Sequence, residues 1–500
     1  MDNKNTKKHF PLRMFLLLVG VFTLVILSAN IANGYTTKVF AMGAIAAVMA
    51  FWWIFEVLPL GITALLPIIA YPLMGIMSSK ETAPIYMSSI LLLFVGGFFV
   101  AIAMQRWNLH KRIALTIIGV FGSSPGRLMA GFMCATGFLS MWISNTASTV
   151  MMVSIGLAII KSYEEIEGIS KESGYFASSL MMSIAYSATI GGIATLVGTP
   201  PNLAFTRIYA ISFPLAPEIS FGSWFLFGVP ASLVMVAFAW FAIWFLNIRN
   251  KGIKELELSV IKKEKEKLGP LKYEEKCIGI VFVSLALLWI FRKDLNLGFI
   301  QIPGWSNLMT YPKLFDDGTV AIFMAMILFM IPVRNKNETH PSKRILDESA
   351  IRDIPWQTIL LFGGGFALAK GIQTSGLSMV IGEHFKALAD VHPAITITAL
   401  TGGMAFLTEL TSNMASTEML LPILASIAKA TGLNPLSLMI PATLAASCAF
   451  MLPAATAPNA IIFGSQRVSI KTMVKVGFFI NIFSIIVITL MSLFVIPLIL

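Results

Sequence analysis

The amino-acid sequence predicts an all-α polytopic membrane protein, with about eleven transmembrane helices and two re-entrant hairpins in an inverted repeat. Three observations carry this. The 500-residue chain is 57% hydrophobic and 12% charged, with a mean hydropathy of +0.81, so lipid rather than polar side chains must cover its apolar surface. The net charge of +11 is spread over loops between apolar runs, as membrane orientation requires, which argues against a nucleic-acid partner. Finally, FLSMWISNTAST at Phe138 to Thr149 recurs as FLTELTSNMAST at Phe406 to Thr417. At the same offset LLFVGGFFVAIAMQRWNL (Leu92 to Leu109) aligns with LLFGGGFALAKGIQTSGL (Leu360 to Leu377). Nine of those 18 positions are identical, where unrelated apolar segments would share about one or two.

In chain order, the basic start MDNKNTKKHFPLR and the apolar stretch behind it resemble a signal peptide. Further spans follow at once, so residues 1–35 are expected to hold an uncleaved first helix. Crossings are predicted near 12–31, 40–57, 59–77, 84–105, 175–204, 222–248, 276–292, 317–333, 355–372, 434–464 and 471–499. The apolar stretches 126–161 and 393–430 each break at a Ser-Asn tip and read as helix, polar break, helix. With Lys4, Lys7, Lys8 and Arg13 in the cytoplasm, the even-numbered crossings end inside, at Arg106, Lys111 and Arg112, at Arg249 to Lys276, at Arg334 to Arg352, and at Arg467 to Lys475. Opposite loops 31–39, 78–83 and 205–221 carry one basic residue each. The charge rule is satisfied only if each Ser-Asn stretch enters and leaves on its own face, 126–161 as an inner hairpin and 393–430 as an outer one. The C-terminus then lies outside.

The chain thus divides into repeat 1 over 36–249, a charged cytosolic linker over 250–276, and repeat 2 over 277–500. Residues 110–122 and 378–390 read as interfacial helices. The fourth and ninth crossings align in sequence yet run in opposite directions, the arrangement of secondary transporters with a midplane site.

Non-helical backbone at membrane depth survives only where protein buries it or where it lines a cavity. The tips Ser144-Asn145-Thr146 and Ser412-Asn413-Met414 offer helix N-termini to anions, and carbonyls with amide oxygens to a hard cation such as Na⁺. Capping of the hairpin helices is the blander role, but it does not explain recurrence in both halves. Each half has a second break, Gly198-Thr199-Pro200-Pro201-Asn202 and Ala455-Thr456-Ala457-Pro458-Asn459. Proline there unwinds the preceding turn and frees carbonyls; a simple kink is the alternative. Neither tip nor break contains Lys, Arg or His. A bound anion must then rely on hydroxyls, amides, helix dipoles and co-bound cations. Glu409 and Glu418 bracket the second tip without counterparts in the first, as proton carriers or structural groups. Lys370 and Glu56 lie near membrane ends, and Cys134, Cys277 and Cys448 read as buried spectators.

SNTAST at 144–149, TSNMAST at 411–417, GTPPN at 198–202, ATAPN at 455–459 and RWNLHKRIAL at 106–115 resemble the divalent anion/Na⁺ symporter family over nearly the whole chain. That resemblance implies a homodimer in the cell membrane whose scaffold holds the interface while a transport domain moves by an elevator-like shift. It implies one Na⁺ at Ser144 and Asn145 with carbonyls near Ser140 and Gly198. A second Na⁺ is implied at Asn413 and Thr408 with carbonyls near Thr411 and Ala455. The implied substrate-lining set is Ser144, Asn145, Thr146, Thr199, Pro200, Ser412, Asn413, Met414, Thr456 and Ala457. Met414 stands where relatives often have Thr, and Ala457 replaces the first proline of a TPPN motif. The expected function is Na⁺-coupled symport of C4–C6 di- or tricarboxylates (succinate, malate, fumarate, 2-oxoglutarate, citrate), or alternatively Na⁺-independent dicarboxylate exchange. An intramembrane hydrolase using Ser144 or Ser412 would need a nearby base, yet His9, His110, His340, His384 and His392 all fall in predicted loops or membrane ends. A channel would need a continuous pore.

Overall fold

The computed structural model describes residues 35–255, 259–296, 300–334 and 343–500. The predicted first crossing at 12–31 and its basic leader lie outside the described residues. Helices of the first half are α1 (Tyr35–Ile54), α2 (Leu66–Leu73), α3 (Ser89–Arg106), α4 (Leu109–Phe121), α5 (Pro125–Ser140), α6 (Asn145–Glu167), α7 (Lys171–Ile193), α8 (Pro200–Ser212) and α9 (Phe221–Ile243). After α10 (Ser259–Lys267) come α11 (Tyr273–Ile290), α12 (Asp317–Met330), α13 (Trp356–Ser375), α14 (Leu377–His384), α15 (Pro393–Thr408), α16 (Asn413–Thr431), α17 (Pro435–Ala446), α18 (Ala457–Gly464) and α19 (Ile470–Leu490). Apart from one two-stranded β-ribbon, Leu295–Asn296 with Gln301–Ile302, the described residues are helical or irregular.

The halves pack in matching fashion. Helix α3 packs on α12, and α13 packs on the α2 region. Within the hairpin regions α7 packs on α5 and α6, as α17 packs on α15 and α16. Across the halves α8 packs on α16 and α17, while α18 packs on α6 and α7. Helices α9 and α19 meet each other, with Phe238 and Phe483 stacked at 3.7 Å between ring centroids. Both continue into a π-helical turn, at Trp244–Ile248 and Met491–Val495.

Five helices among the described residues are long and apolar enough to cross a membrane: Ser79–Arg106, Asn145–Glu167, Lys171–Ile193, Phe221–Ile248 and Ile470–Ile499. Shorter apolar helices include Lys38–Ile54, Leu60–Leu73 and Asp317–Met330. The apolar runs 175–204 and 434–464 each split into two helices around a non-helical break: the first helices end at Ile193 and Ala446, and Thr-Pro-Pro and Thr-Ala-Pro start the second. Hydropathy runs across such breaks without registering them.

One sequence expectation is corrected here, the burial of all three cysteines. The charged linker itself packs: α10 lies on α4, with Lys111 Nζ 2.8 Å from Glu264 and Arg112 bound to Glu275 at 2.8 and 3.1 Å. Hydrogen bonds from Lys111 and Lys267 hold the Glu264 carboxyl below the usual range. Of the three cysteines, Cys448 is buried, Cys277 half-buried and Cys134 exposed. None is disulfide-bonded.

Candidate functional site

Four helices begin at one cavity of about 1000 Å³, lined by Ser144 to Ala147, Gly198 to Pro201, Thr411 to Met414 and Ala454 to Pro458. Their N-terminal positions are Asn145, Pro200, Asn413 and Ala457. The preceding residues Ser144, Thr199, Ser412 and Thr456 have the extended backbone that ends a loop and opens a helix. Each N-terminus presents unpaired amides and about half a positive charge, so four of them make the cavity attractive to an anion without a cationic side chain. Ser144 Oγ accepts from Ala147 N (3.3 Å) and Thr456 Oγ1 from Asn459 N (3.2 Å). Thr199 and Ser412 make no such cap, which leaves their hydroxyls for a ligand.

Every predicted substrate-lining residue lies in this wall: Ser144, Asn145, Thr146, Thr199, Pro200, Ser412, Asn413, Met414, Thr456 and Ala457. Thr146 and Ala457 are exposed to the cavity, whereas Met414 is buried in its wall. Gly198, Thr411 and Ala455, predicted beside the cations, line it too, whereas the side wall was not anticipated. Phe94, Phe98, Ile102 and Gln105 of α3 and Thr358 of α13 close the side, at helix positions that no sequence pattern marks.

Behind the tips, oxygens converge in the same way twice. Thr408 Oγ1 donates to Asn413 Oδ1 (2.7 Å) and lies 2.8 Å from Ala446 O. In the first half Ser140 Oγ lies 2.6 Å from Asn145 Oδ1. With its amide turned, Asn145 Nδ2 donates to Ser140 Oγ (2.6 Å), Ala188 O (3.2 Å) and Gly198 O (3.3 Å). A hydroxyl and two carbonyls therefore surround one end of this amide. They satisfy its NH₂, or they join its oxygen in ligating a hard cation. Ser140 meets Asn145 through its hydroxyl, and the Thr411 side chain turns back to Leu407 O (3.0 Å) and Ser416 Oγ (2.5 Å). Gly198 and Ala455 line the cavity beside the tips.

The breaks are held open by residues whose role sequence reasoning missed. Asn202 Nδ2 donates to Gly192 O (3.2 Å), Ile193 O (3.3 Å) and Thr195 O (2.7 Å). Asn459 Nδ2 does the same with Ala449 O (3.1 Å) and Leu452 O (3.0 Å). The final Asn of GTPPN and ATAPN, present in both motifs, was the available signal. Tip and break are then tied by different chemistry at equivalent places. Thr195 Oγ1 donates to Met141 O (2.5 Å) in the first half. In the second, Glu409 stands where Met141 does and accepts from Phe450 N (2.7 Å), Met451 N (2.9 Å), Leu452 N (3.0 Å) and Asn481 Nδ2 (2.8 Å). Glu409 is a structural anchor, at 3% exposure. Glu418 is fully buried against Gly365 of α13.

One basic residue does reach the cavity. Arg106 lines its edge, as do Glu56 and Asp353, but its guanidinium is held by Asp347 (3.1 Å) and Asp353 (2.7 Å). Two carboxylates thus offset that charge.

Comparison with known proteins agrees with this architecture. The chain is 42% identical to the sodium-dependent dicarboxylate transporter SdcS of Staphylococcus saprophyticus, over 99% of this chain and 94% of that protein. It is 43% identical to SdcS of Staphylococcus aureus, over 91% of this chain and 86% of that one. Among solved structures, its fold is similar to the YdaH transporter of Alcanivorax borkumensis (TM-score 0.55, 12% identity, 82% of this chain and 86% of that one). It is also similar to MtrF of Neisseria gonorrhoeae (TM-score 0.52, 15% identity, 82% and 83%). Residues 11–500 match the family described as the sodium:sulfate symporter transmembrane region, and the chain belongs to that family of multi-pass membrane transporters.

Proposed function

We propose that this protein carries dicarboxylates across the cell membrane, driven by Na⁺, with the anion held between the two Ser-Asn tips. The observation that carries the proposal is the convergence of four helix N-termini on one cavity, with oxygen clusters behind both tips. The N-termini attract carboxylates, and the clusters attract Na⁺. The names of the relatives support the same pairing of cation and acid.

In this reading, Na⁺ enters at Ser140, Ser144, Asn145 and Gly198, and at Thr408, Thr411, Asn413 and Ala455. It turns the tip amides oxygen-inward, so that their NH₂ groups face the cavity. The substrate carboxylates then accept from the Asn145 and Asn413 amides and from the hydroxyls of Thr146, Thr199 and Thr456. A dianion with two Na⁺ sums to zero charge, which removes the largest electrostatic barrier to moving the site through hydrocarbon. Succinate, malate, fumarate, 2-oxoglutarate and citrate are the candidate substrates. The cavity is spacious for them and far larger than sulfate needs. Met414 makes the second tip's contact apolar, so the hold on the acid is stronger on the first. Two matching halves around one site suit an elevator-type shift, with a homodimer as the static frame and the N-terminus in the cytoplasm.

Proteoliposomes loaded with or without unlabelled succinate test the proposal. Symport requires net uptake of labelled succinate driven by an inward Na⁺ gradient. Counterflow that persists without Na⁺, with no net uptake, assigns obligate exchange instead. Sulfate uptake with no response to any carboxylate overturns the substrate assignment.

A further inference from the structure

The face opposite Arg106 carries basic side chains that the transport site does not use. Arg207, on α8, lines two cavities at once, one of about 610 Å³ with Lys370, Thr374 and Glu81, and one of about 290 Å³ beside Glu218 and Asp317. Its Nε is buried without a hydrogen-bond partner. Among the described residues neither Arg207, Lys370 nor Lys429 forms an ion pair. Lys370 Nζ reaches only Gln373 Oε1, at 3.4 Å. Lys429 rests over the Phe213 ring, 5.3 Å from its centroid, close enough to Lys370 for their charges to repel.

The nearby carboxylates are already engaged. Glu81 accepts from Ser78 N (2.9 Å) and Ser78 Oγ (2.7 Å). Asp317 is held by Arg292 (2.5 Å) and Phe221 N (3.0 Å), and Glu218 by Arg292 (2.7 Å) and Lys293 (2.6 Å). Asp316 accepts from Thr319 N (2.7 Å) and Thr319 Oγ1 (2.8 Å). A buried guanidinium nitrogen without an acceptor is costly unless a ligand supplies one. The wider cavity has apolar walls at Met77, Ile85, Ala210, Ile211 and Pro214 between its two cations. Cationic ends with an apolar middle match a short diacid.

We infer that Arg207 and Lys370 form an outer docking site for a small dicarboxylate, separate from the cavity between the tips, with Lys429 adding positive charge nearby. The inference rests on the dicarboxylate transport proposed above. Its role is capture from the outer solution: guanidinium and ammonium groups at a cavity mouth raise the local concentration of a dianion before the inner site opens to that side.

Transport measured separately from each side tests it. In right-side-out vesicles, Arg207→Gln raises the external KM for succinate about tenfold, the scale of one lost charge-assisted hydrogen bond. Lys370→Gln raises it less, and Arg207→Lys recovers part of the loss. The KM measured from the cytoplasmic face in inside-out vesicles does not follow. Raising ionic strength weakens external affinity more in the wild type than in Arg207→Gln. An external KM unchanged in Arg207→Gln, or both faces impaired alike, overturns the inference while leaving the transport reading intact. A wild type that takes up no carboxylate overturns both. Repeating the assay in phosphatidylcholine with and without phosphatidylglycerol identifies the other source of an anion: if Arg207→Gln abolishes a dependence on the anionic lipid and leaves external KM alone, the site holds a lipid headgroup and the inference fails.

Discussion

Asn145 and Asn413 hold the site together because an amide can present either end. Facing oxygens, each offers NH₂; facing a cation, each offers its carbonyl. Alanine removes both options, so Asn145→Ala and Asn413→Ala are each expected to abolish transport while the purified protein keeps its elution volume on size exclusion. Full transport in either variant would remove that residue from the site. Asn202 and Asn459 act one step back. Each donates to several carbonyls of the non-helical break. Asn202→Ala strands buried carbonyls and should cost about 1–3 kcal/mol per group left unpaired. A clear drop in melting temperature in detergent is expected. Glu409→Gln keeps one acceptor oxygen for amides that now share two, and a melting temperature equal to wild type would show that the carboxylate does not anchor the break.

At the scale of elements, close backbone approach decides which positions are glycine. A Cβ at Gly192 would lie 2.6 Å from Asn145 Oδ1, and one at Gly191 only 2.3 Å from Gly137 O. Gly192→Ala therefore pushes the first tip's amide out of its pocket. Sodium affinity should fall much further than stability, as read by Na⁺-induced thermal shift. At the other end, a Cβ on Gly365 would sit 1.5 Å from Glu418 Oε2. Gly365→Ala is expected to destabilise the protein, and Glu418→Ala in the same chain to recover much of the loss. Additive effects in that double-mutant cycle would contradict the contact. Tips and breaks were legible in the sequence because polar and proline residues recur in both halves inside runs too apolar to tolerate them by chance. The partners of Glu409 were not legible. Its acceptors' counterparts are backbone amides of residues 450–452, and only the folded break brings those amides to it. The α3 wall was hidden for a different reason: Phe94, Phe98 and Ile102 look like any lipid-facing helix.

Across the whole molecule, the two halves use one packing scheme and differ where chemistry matters. The first tip is tied to its break by a neutral hydroxyl, Thr195, and the second by a buried carboxylate, Glu409. The first tip bears Thr146, the second Met414. The two halves thus share a scaffold with an oxygen cluster behind each tip, and differ in the side chains that they present to the cavity. Hydropathy predicted the all-helical class and the approximate runs, yet it counted the divided helices α7–α8 and α17–α18 as single crossings. Free energies of transfer sum over a window, whereas the break is made by three or four residues.

The central claim is that the acid site is completed by cations rather than by a fixed positive side chain. Calorimetric titration of succinate into purified protein tests it most directly, in Na⁺ and then in choline at equal ionic strength. The account predicts saturable binding in Na⁺ that tightens as Na⁺ rises, and none in choline. An equal Kd in both buffers would contradict it.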